Sequence, residues 1–411
     1  MNVLVLNAGS SSLKFQLMNT KTREVFTKGN CERIGLTDGI FGHVEGDGEK
    51  VKEIVDFPDH GTAIRKVIEL INEHGFEMEA FGHRIVQGGW HFEDSALVDD
   101  EVLAKIYEVA PLAPLHNYAE AGVIEHCRET YPELPNVAVF DTSFHMGMPP
   151  AAYTYALPTE VREKLHIRKY GAHGTSHRYE WQTAKELLGE TCHRVLSCHL
   201  GNGSSLCAIE DGVVRDTTMG LTPLDGLMMG TRCGSIDPAT VCYLQREGGY
   251  TCDEVDTMMN KQSGFLAISE NTSDVRDIRD GAAAGDEKCL LALDMFIYKV
   301  VAQGAAMIAS MSGVDTITFT GGIGENDWAT RQAVCECFEW MGVRVDREKN
   351  KSMCSGKTGV ISTAGSSPRS PATPTSWSSP TSRPAISATS WYSASAAPRP
   401  TARSCRVSPS R

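Results

Sequence analysis

Residues 3–17 read VLVLNAGSSSLKFQL, and residues 195–209 read VLSCHLGNGSSLCAI. Each stretch is an apolar run, then a cluster of small residues, mostly glycine and serine, then a second apolar run. This pattern predicts a strand, a tight turn and a second strand. A single Gly/Ser hairpin is common, but two similar hairpins, each opening one half of the chain, predict duplicated domains. We therefore expect two related domains that face one another across a cleft.

The rest of the chain alternates between strand and helix patterns, which is typical of α/β architecture. We place the N-terminal domain at residues 1–150 and the second domain at residues 151–363. Apolar runs predict strands, and helical periodicity predicts helices. The strands are predicted at 137–140 and 316–319, and the helices at 63–72, 119–129 and 290–311.

Residues 364–411 differ from the rest of the chain in composition. They are rich in Ser, Pro, Ala and Arg, and no Asp or Glu follows Glu348. Closely spaced prolines and few aromatic residues disfavour regular structure, so we predict that this tail is disordered. Such an abrupt change is also expected when GC-rich coding DNA is read out of frame. We therefore interpret the tail as a frameshifted translation.

The bulk properties narrow the class of protein. The chain has 411 residues and a formal net charge of −13, which argues against nucleic acid or an anionic membrane surface as its main partner. We expect no signal peptide, because no basic segment precedes the first apolar run, and no membrane span. The 13 cysteines are scattered without a C-x-x-C pair. Such usage is typical of reduced thiols, so we expect a cytoplasmic protein.

Two arginines and one aspartate stand in contexts that suit anion binding. Arg84 lies in GHRIVQGG, Arg232 lies in LMMGTRCG, and Asp141 directly follows an apolar run. An arginine fork is suited to a carboxylate or phosphate, and side chains at the carboxyl ends of strands line the crevice of an open α/β sheet. The alternatives are solvated surface charges for the arginines and a helix N-cap for the aspartate.

The chain lacks the Walker and Rossmann phosphate motifs, so the backbone amides of the two Gly/Ser turns are the expected phosphate site. The segment GGIGEN at 321–326 predicts a further turn that a nucleotide could approach closely. His173 and His177 suggest a metal site by their spacing. We disfavour that interpretation because no third ligand is adjacent in the sequence.

Nine segments occur together in the order found in the acetokinase family, and the chain resembles that family over residues 1–363. The segments are NAGSSSLKF, GHRIVQGG, APLHN, VAVFDTSFH, YGAHGTSH, HLGNGSS, TPLDGLMMGTR, SDVRD and FTGGIGEN. The resemblance implies two duplicated actin-like (ribonuclease H-like) domains around an active-site cleft. It implies reversible, direct in-line transfer of the γ-phosphate of ATP to acetate, giving acetyl phosphate and ADP.

The resemblance also implies a role for each matching residue. Asp141, His173 and Arg232 are the implied catalytic residues, and Asn7 helps to hold the metal. The carboxylate and its apolar pocket are assigned to Arg84, Val86, Leu115 and Pro223. The contacts to ATP are assigned to Lys14, His199, Leu200, Gly201, Asn202, Gly203, Asp274, Val275, Arg276, Gly322, Ile323, Gly324, Glu325 and Asn326.

The family further implies Mg²⁺, with Mn²⁺ as a substitute, and a homodimer. The chain departs from the family at Gln87, where histidine is frequent, and at Ala172, where phenylalanine is frequent. The acidic metal ligand that members carry near their C-terminus has no counterpart here. Two alternatives therefore stay open. One is a propionate or butyrate kinase, and the other is a nucleotide-binding protein that no longer catalyses.

The implied chemistry agrees with these residue types. Phosphoryl transfer needs positioning and charge neutralisation more than covalent help. Acetate is ionised near neutral pH, so its attacking oxygen needs no general base. We therefore interpret Asp141 as an organiser of metal, water or arginine. Arg84 orients the nucleophile in this interpretation, while Arg232 and His173 meet the charge on the transferring group.

Overall fold

The computed structural model describes residues 1–46, 48–114, 116–354 and 359. Leu115 and the tail at 364–411 lie outside the described residues, so the predictions made for them stay predictions. The strands are β1 (Asn2–Gly9), β2 (Ser12–Asn19), β3 (Val25–Glu32), β4 (Ile40–Glu45), β5 (Val51–Ile54), β6 (Ala80–Ile85), β7 (Ala96–Leu97), β8 (Asn136–Phe140), β9 (Arg194–Leu200), β10 (Ser204–Glu210), β11 (Val213–Thr217) and β12 (Thr316–Thr320).

The predicted strands and helices are all found, with ends that differ by at most three residues. Two of the helices begin at side-chain caps, because Asp59 accepts the Thr62 N–H and Asp286 accepts the Lys288 and Cys289 N–H groups. The helices are α1 (His60–Glu73), α2 (Asp100–Val109), α3 (Asn117–Thr130), α4 (Pro150–Tyr153), α5 (Thr159–Lys164), α6 (Gly174–Leu188), α7 (Ala239–Glu247), α8 (Cys252–Lys261), α9 (Gly264–Ser269), α10 (Val275–Ala283), α11 (Glu287–Ser310), α12 (Gly321–Asn326), α13 (Trp328–Glu336) and α14 (Arg347–Ser352).

The first sheet has the strand order β5-β4-β3-β2-β1-β6-β8-β7. β1 pairs antiparallel with β2 and parallel with β6, and β6 pairs parallel with β8. Along β1, Leu4, Leu6 and Ala8 are buried and pack in one core with side chains of α1 and α3. Because successive side chains of a strand point to opposite faces, Asn7 lies on the face away from that core.

The second sheet has the order β11-β10-β9-β12. Its pairings are antiparallel, antiparallel and parallel, as in β3-β2-β1-β6 of the first sheet. The β1–β2 and β9–β10 hairpins are the two hairpins predicted from sequence. The duplication is therefore confirmed, and the fold consists of two actin-like halves. The division at residue 150 stays a prediction.

The longest helix, α11, lies in the core of the second half. Its 24 residues include a window with a mean hydropathy of 1.5, so by length and composition it could cross a membrane. The sequence predicts no membrane span, because charged residues interrupt the apolar run. Phe296 and Val300 of α11 pack in one core with Leu196, Leu206 and Phe338. This packing identifies α11 as a core helix.

Two local expectations are corrected by the structure. The sequence predicts a turn at 321–326, but this segment forms the short helix α12. It begins at Gly321 with φ of 78°, where a Cβ would lie 2.6 Å from the Leu200 carbonyl oxygen, so glycine is required. The alternative of a helix N-cap at Asp141 is wrong. Thr142 precedes the next helical turn (Ser143–His145), and the Asp141 carboxylate is engaged elsewhere.

Candidate active site

Three polar side chains meet at the carboxyl ends of neighbouring parallel strands in the first sheet. Asn7 lies in β1, Arg84 lies near the end of β6, and Asp141 directly follows β8. Arg84 Nη1 donates to Asn7 Oδ1 at 3.0 Å, and its Nε and Nη2 donate to Asp141 Oδ2 at 3.1 and 2.6 Å. The strand register thus joins residues that are far apart in the sequence.

Arg84 and Asp141 form an ion pair that is largely shielded from solvent. The side chain of Asp141 is 1% exposed, and that of Arg84 is 30% exposed. Burial disfavours the charged guanidinium, but the charge of Asp141 and its hydrogen bonds outweigh burial, so the pKa of Arg84 is raised. The alternative interpretation of Arg84 as a solvated surface charge is therefore wrong.

Asp141 also joins the first sheet to the beginning of α6. Thr175 Oγ1 donates to Asp141 Oδ1 at 2.8 Å, and the Gly174 N–H donates to the Asp141 carbonyl oxygen at 2.8 Å. A Cβ on Gly174 would lie 2.3 Å from that carbonyl oxygen. Both carboxylate oxygens of Asp141 accept hydrogen bonds from the protein, as expected of a group that organises its neighbours.

His173 sits immediately before α6 in a left-handed backbone conformation, with φ of 58° and ψ of 20°. This conformation is uncommon outside glycine and often occurs at functional sites. The His173 ring stacks on His199 with the centroids 4.1 Å apart, and its Nδ1 lies 2.9 Å from Ser205 Oγ. Burial lowers the pKa of His173, and the neighbouring histidines and arginines lower it further, so the ring is neutral near pH 7.

Arg232 lies close to His173 beside Gly203. A Cβ on Gly203 would lie 3.4 Å from His173 Nε2 and 3.6 Å from Arg232 Nη1, so both side chains border the same small space. Arg232 Nη1 donates to the Pro223 carbonyl oxygen at 3.2 Å. Burial lowers the pKa of Arg232, and within the described chain no carboxylate forms an ion pair with it. A partly buried guanidinium of this kind is suited to an anionic ligand.

The turn between β9 and β10 lies against the beginning of α12. A Cβ on Gly201 would lie 3.6 Å from the Gly322 backbone nitrogen. The Gly230 N–H donates to the Asn202 carbonyl oxygen at 3.0 Å, which ties this turn to the loop that carries Arg232. The structure therefore brings the second of the two predicted phosphate turns next to α12 and to the loop that carries Arg232.

The other residues predicted to contact ATP are divided between the two halves. Lys14 is exposed and lies directly opposite Asn7 in the β1–β2 hairpin. Residues 322–326 form most of α12. These placements put Lys14 on the first half and α12 on the second half.

The segment that begins α10 is tied to the end of α12. Asp274 accepts the Arg276 N–H at 2.9 Å, and the side-chain hydrogen bond from Arg276 lowers the pKa of Asp274 to about 2. Val275 is buried in the core of the second half. One turn later, Arg279 Nη2 pairs with Asp327 Oδ2 at 2.8 Å.

The predicted apolar pocket is only partly described. Val86 is buried, and its N–H donates to Glu120 Oε2 at 2.9 Å. Pro223 contacts Arg232 through its carbonyl oxygen. Leu115, the third predicted residue, lies outside the described residues. Val86 follows Arg84 by two residues in the first half, and Pro223 lies beside Arg232 in the second.

Sequence reasoning missed four polar side chains: His116, Glu120, Thr175 and Ser205. Burial lowers the pKa of His116, and both arginines of the site lower it further, which places His116 near both of them. Three of the four lie within the APLHN, YGAHGTSH and HLGNGSS segments, so those motifs were a usable signal. Glu120 had no such signal, because its burial depends on how α3 packs against the sheet.

The donor atoms here suit a hard divalent cation better than a transition metal. The described residues contain no group of three His, Cys, Asp or Glu placed to hold a metal ion. His177 uses both ring nitrogens in hydrogen bonds to Ser197 and Ser205, so these contacts compete with metal binding at His177. The oxygen atoms of Asn7 and Asp141 are of the type that Mg²⁺ binds, usually with waters and substrate phosphates completing its shell.

The arrangement can hold two anions next to one another. Arg84 comes from the first half, while His173, Arg232 and the glycine turns come from the second. Such a site positions anionic reactants and neutralises charge between them, which is what phosphoryl transfer requires. Together with the duplicated α/β fold, it points to a phosphotransferase.

The chain belongs to the acetokinase family, whose sequence profile matches residues 2–376. It is 48% identical over 367 residues to the acetate kinase of Anoxybacillus flavithermus. The aligned region covers 88% of this chain and 92% of that protein. The structure is similar to the acetate kinase of Porphyromonas gingivalis, with 39% identity, a TM-score of 0.82 and coverage of 88% and 92%. It is equally similar to a propionate kinase of Francisella tularensis, with 40% identity, a TM-score of 0.82 and coverage of 85% and 91%.

Family membership agrees with the class that the fold and the site define. The chain is an enzyme, an ATP-dependent kinase. ATP and a divalent metal are implied in general terms by membership.

Proposed function

We propose that this chain transfers the γ-phosphoryl group of ATP in line to an acetate held by Arg84, in the cleft between its two halves. One observation carries the assignment of roles. Arg84 is fixed by Asn7 and Asp141, and both Arg84 and Arg232 lie close enough to His173 to lower its pKa. Two sets of donors from different halves of the molecule are suited to two different anions.

Arg84 binds the carboxylate. A guanidinium has five N–H groups, and three hydrogen bonds to Asn7 and Asp141 leave two N–H groups for a ligand. Acetate is already ionised at neutral pH, so no residue has to remove a proton from it. Asp141 is therefore a positioning residue for Arg84 and for Thr175 rather than a general base.

His173 and Arg232 stabilise the transferring group. Both lie beside Gly203, whose lack of a side chain leaves room for a phosphoryl oxygen near His173 Nε2 and Arg232 Nη1. Charge spreads over the equatorial oxygens in the transition state, and donors fixed beforehand stabilise it without reorganisation. Closure of the cleft around them excludes water and limits hydrolysis of ATP.

The nucleotide lies along the second half. The turn at 201–203, the adjoining residues His199 and Leu200, and the segments 274–276 and 322–326 surround its phosphates and the remainder of the nucleotide, and Lys14 adds a positive charge from the first half. Mg²⁺ is the proposed metal, with Asn7 and water as ligands. When it is bound, it screens the phosphate charge. The acidic ligand expected from the family has no counterpart in this chain, because no Asp or Glu follows Glu348.

The acceptor is a short acid. Val86, Pro223 and the undescribed Leu115 form a small apolar wall beside Arg84 in this proposal. One methylene group changes discrimination by only about 1–3 kcal/mol, so propionate is a second, poorer acceptor. We further propose a cytoplasmic homodimer, as the family resemblance suggests.

Arg84→Ala tests the proposal. The variant should lose about 100-fold in kcat/KM for acetate, equivalent to about 3 kcal/mol for a charge-assisted hydrogen bond, because the carboxylate loses its fork. ATP affinity, measured by nucleotide titration, should change little. Arg128→Ala is a matched control, since Arg128 pairs at the surface with Asp100. Loss of ATP affinity with intact acetate kinetics would contradict the assignment.

A further inference from the structure

A buried chain of alternating serine and histidine side chains lies behind His173. Ser205 Oγ lies 2.9 Å from His173 Nδ1 and 2.8 Å from His177 Nε2. His177 Nδ1 in turn lies 2.8 Å from Ser197 Oγ. Ser197, Ser205 and His177 have no exposed surface, so none of them can contact a substrate directly. The mechanism proposed above gives these three residues no role.

The number of protons on these side chains limits which atoms can donate and which can accept in the hydrogen bonds between them. Burial lowers the pKa of His177, with His145 and His199 adding to the effect, and His173 is affected in the same direction. Each ring is therefore neutral and carries one N–H, while Ser205 has one hydroxyl proton to share between them. Ser205 Oγ can accept from both rings, in which case His173 Nδ1 carries the proton, or it can accept from one ring and donate to the other in two arrangements. Either His173 Nδ1–H donates to Ser205 and Ser205 donates to His177, or His177 Nε2–H donates to Ser205 and Ser205 donates to His173.

These arrangements present different groups to the cleft. Where His173 Nδ1 carries the proton, Nε2 has none and can only accept a hydrogen bond. Where Ser205 donates to Nδ1, Nε2–H is a donor. His173 Nε2 borders the space beside Gly203 and Arg232 Nη1, where the transferring phosphoryl group is placed. Phosphoryl oxygens accept hydrogen bonds, so the arrangement in which Ser205 donates to His173 is the one that fits.

We propose that Ser205, His177 and Ser197 are positioning residues that hold His173 as its Nε2–H tautomer, so that a neutral imidazole donates to the transferring phosphoryl group. This inference rests on the role given to His173 in the proposed function. The ring plane is already fixed by the left-handed backbone at His173 and by stacking on His199. The remaining variable is the ring nitrogen that carries the proton, and in this proposal Ser205 sets it by donating to Nδ1.

The test is ¹⁵N NMR of the full chain labelled at histidine, with the His173 signals assigned by their loss in His173→Asn. In the wild-type chain, Nε2 should be protonated and Nδ1 should not. An Nδ1–H tautomer, or a mixture, in the wild-type chain would overturn the inference. This measurement needs neither substrate nor activity, so it separates the inference from the proposed function, which fails if the wild-type chain makes no acyl phosphate from acetate.

Variants add a kinetic readout. Ser205→Ala should convert His173 to a tautomer mixture and lower kcat about tenfold or more, with KM for ATP little changed. Ser205→Thr keeps the hydroxyl, so it should restore both the Nε2–H tautomer and kcat. Thr316→Val is the control. It removes a buried hydroxyl that contacts Cys192 Sγ, and Thr316 lies at the end of β12 that is farther from α12. Wild-type kcat and an unchanged tautomer in Ser205→Ala would overturn the proposal. If Ser205→Ala does not fold, the wild-type spectrum alone decides.

Discussion

Glu120→Gln is expected to make the stability of the protein much less sensitive to pH. The Glu120 side chain is 1% exposed, its Oε2 accepts the Val86 N–H, and its Oε1 has no hydrogen-bond partner among the described residues. Burial raises the pKa of Glu120 to about 8, although the Val86 N–H and the charge of Arg84 oppose the rise. Glutamine keeps the shape of the protonated acid and cannot ionise.

The sign follows from proton linkage. The folded-state pKa of about 8 lies above the ordinary value of 4.5, so the folded protein binds a proton that the unfolded chain releases. The stabilisation linked to that proton is fully present below pH 4.5 and is lost as the pH rises through 8. The two pKa values differ by about 3.5. At about 1.36 kcal/mol for each pKa unit, this difference corresponds to at most about 5 kcal/mol of folding stability.

The measurement is the free energy of unfolding from denaturant titrations at several pH values between about 5 and 8.5. The advantage of Glu120→Gln over the wild-type chain should grow by several kcal/mol across this range. Glu129→Gln is the control, because Glu129 is exposed on the same helix α3. A constant difference between Glu120→Gln and wild type at every pH would refute the reasoning.

Three further outcomes are expected. Arg232→Lys should lower kcat about 100-fold, because a point charge replaces the guanidinium at the transferring group, and steady-state kinetics with normal kcat would count against that role. In a series of acids, propionate should fall within about 200-fold of acetate in kcat/KM, whereas octanoate used as well as acetate would exclude a small pocket at Val86 and Pro223. Finally, the coding DNA read in the other two frames from codon 364 should encode an I-P-T-x-E-E-like segment. If neither frame does, the tail is a genuine feature of the protein.

The local sequence pattern was sufficient to predict the duplicated fold and part of the site. Alternating apolar residues on either side of a Gly/Ser turn define a hairpin without reference to the rest of the chain, so both hairpins were predictable. Asp141 was predictable as a site residue because it ends an apolar strand, and parallel strands bring their carboxyl ends to one edge of a sheet. The roles of Arg84 and Arg232 needed the family resemblance, since an isolated arginine is usually solvated.

Tertiary structure alone decided which polar groups lack or share partners. Glu120 is an ordinary helical glutamate in the sequence, and it becomes a buried carboxyl because α3 packs over the end of β6. Ser205 reaches His173 and His177 because α6 packs against β9, the strand paired with β10, although these segments are separated in the chain. Burial, hydrogen-bond partners and pKa depend on contacts between distant segments, whereas strand and turn patterns depend on near neighbours.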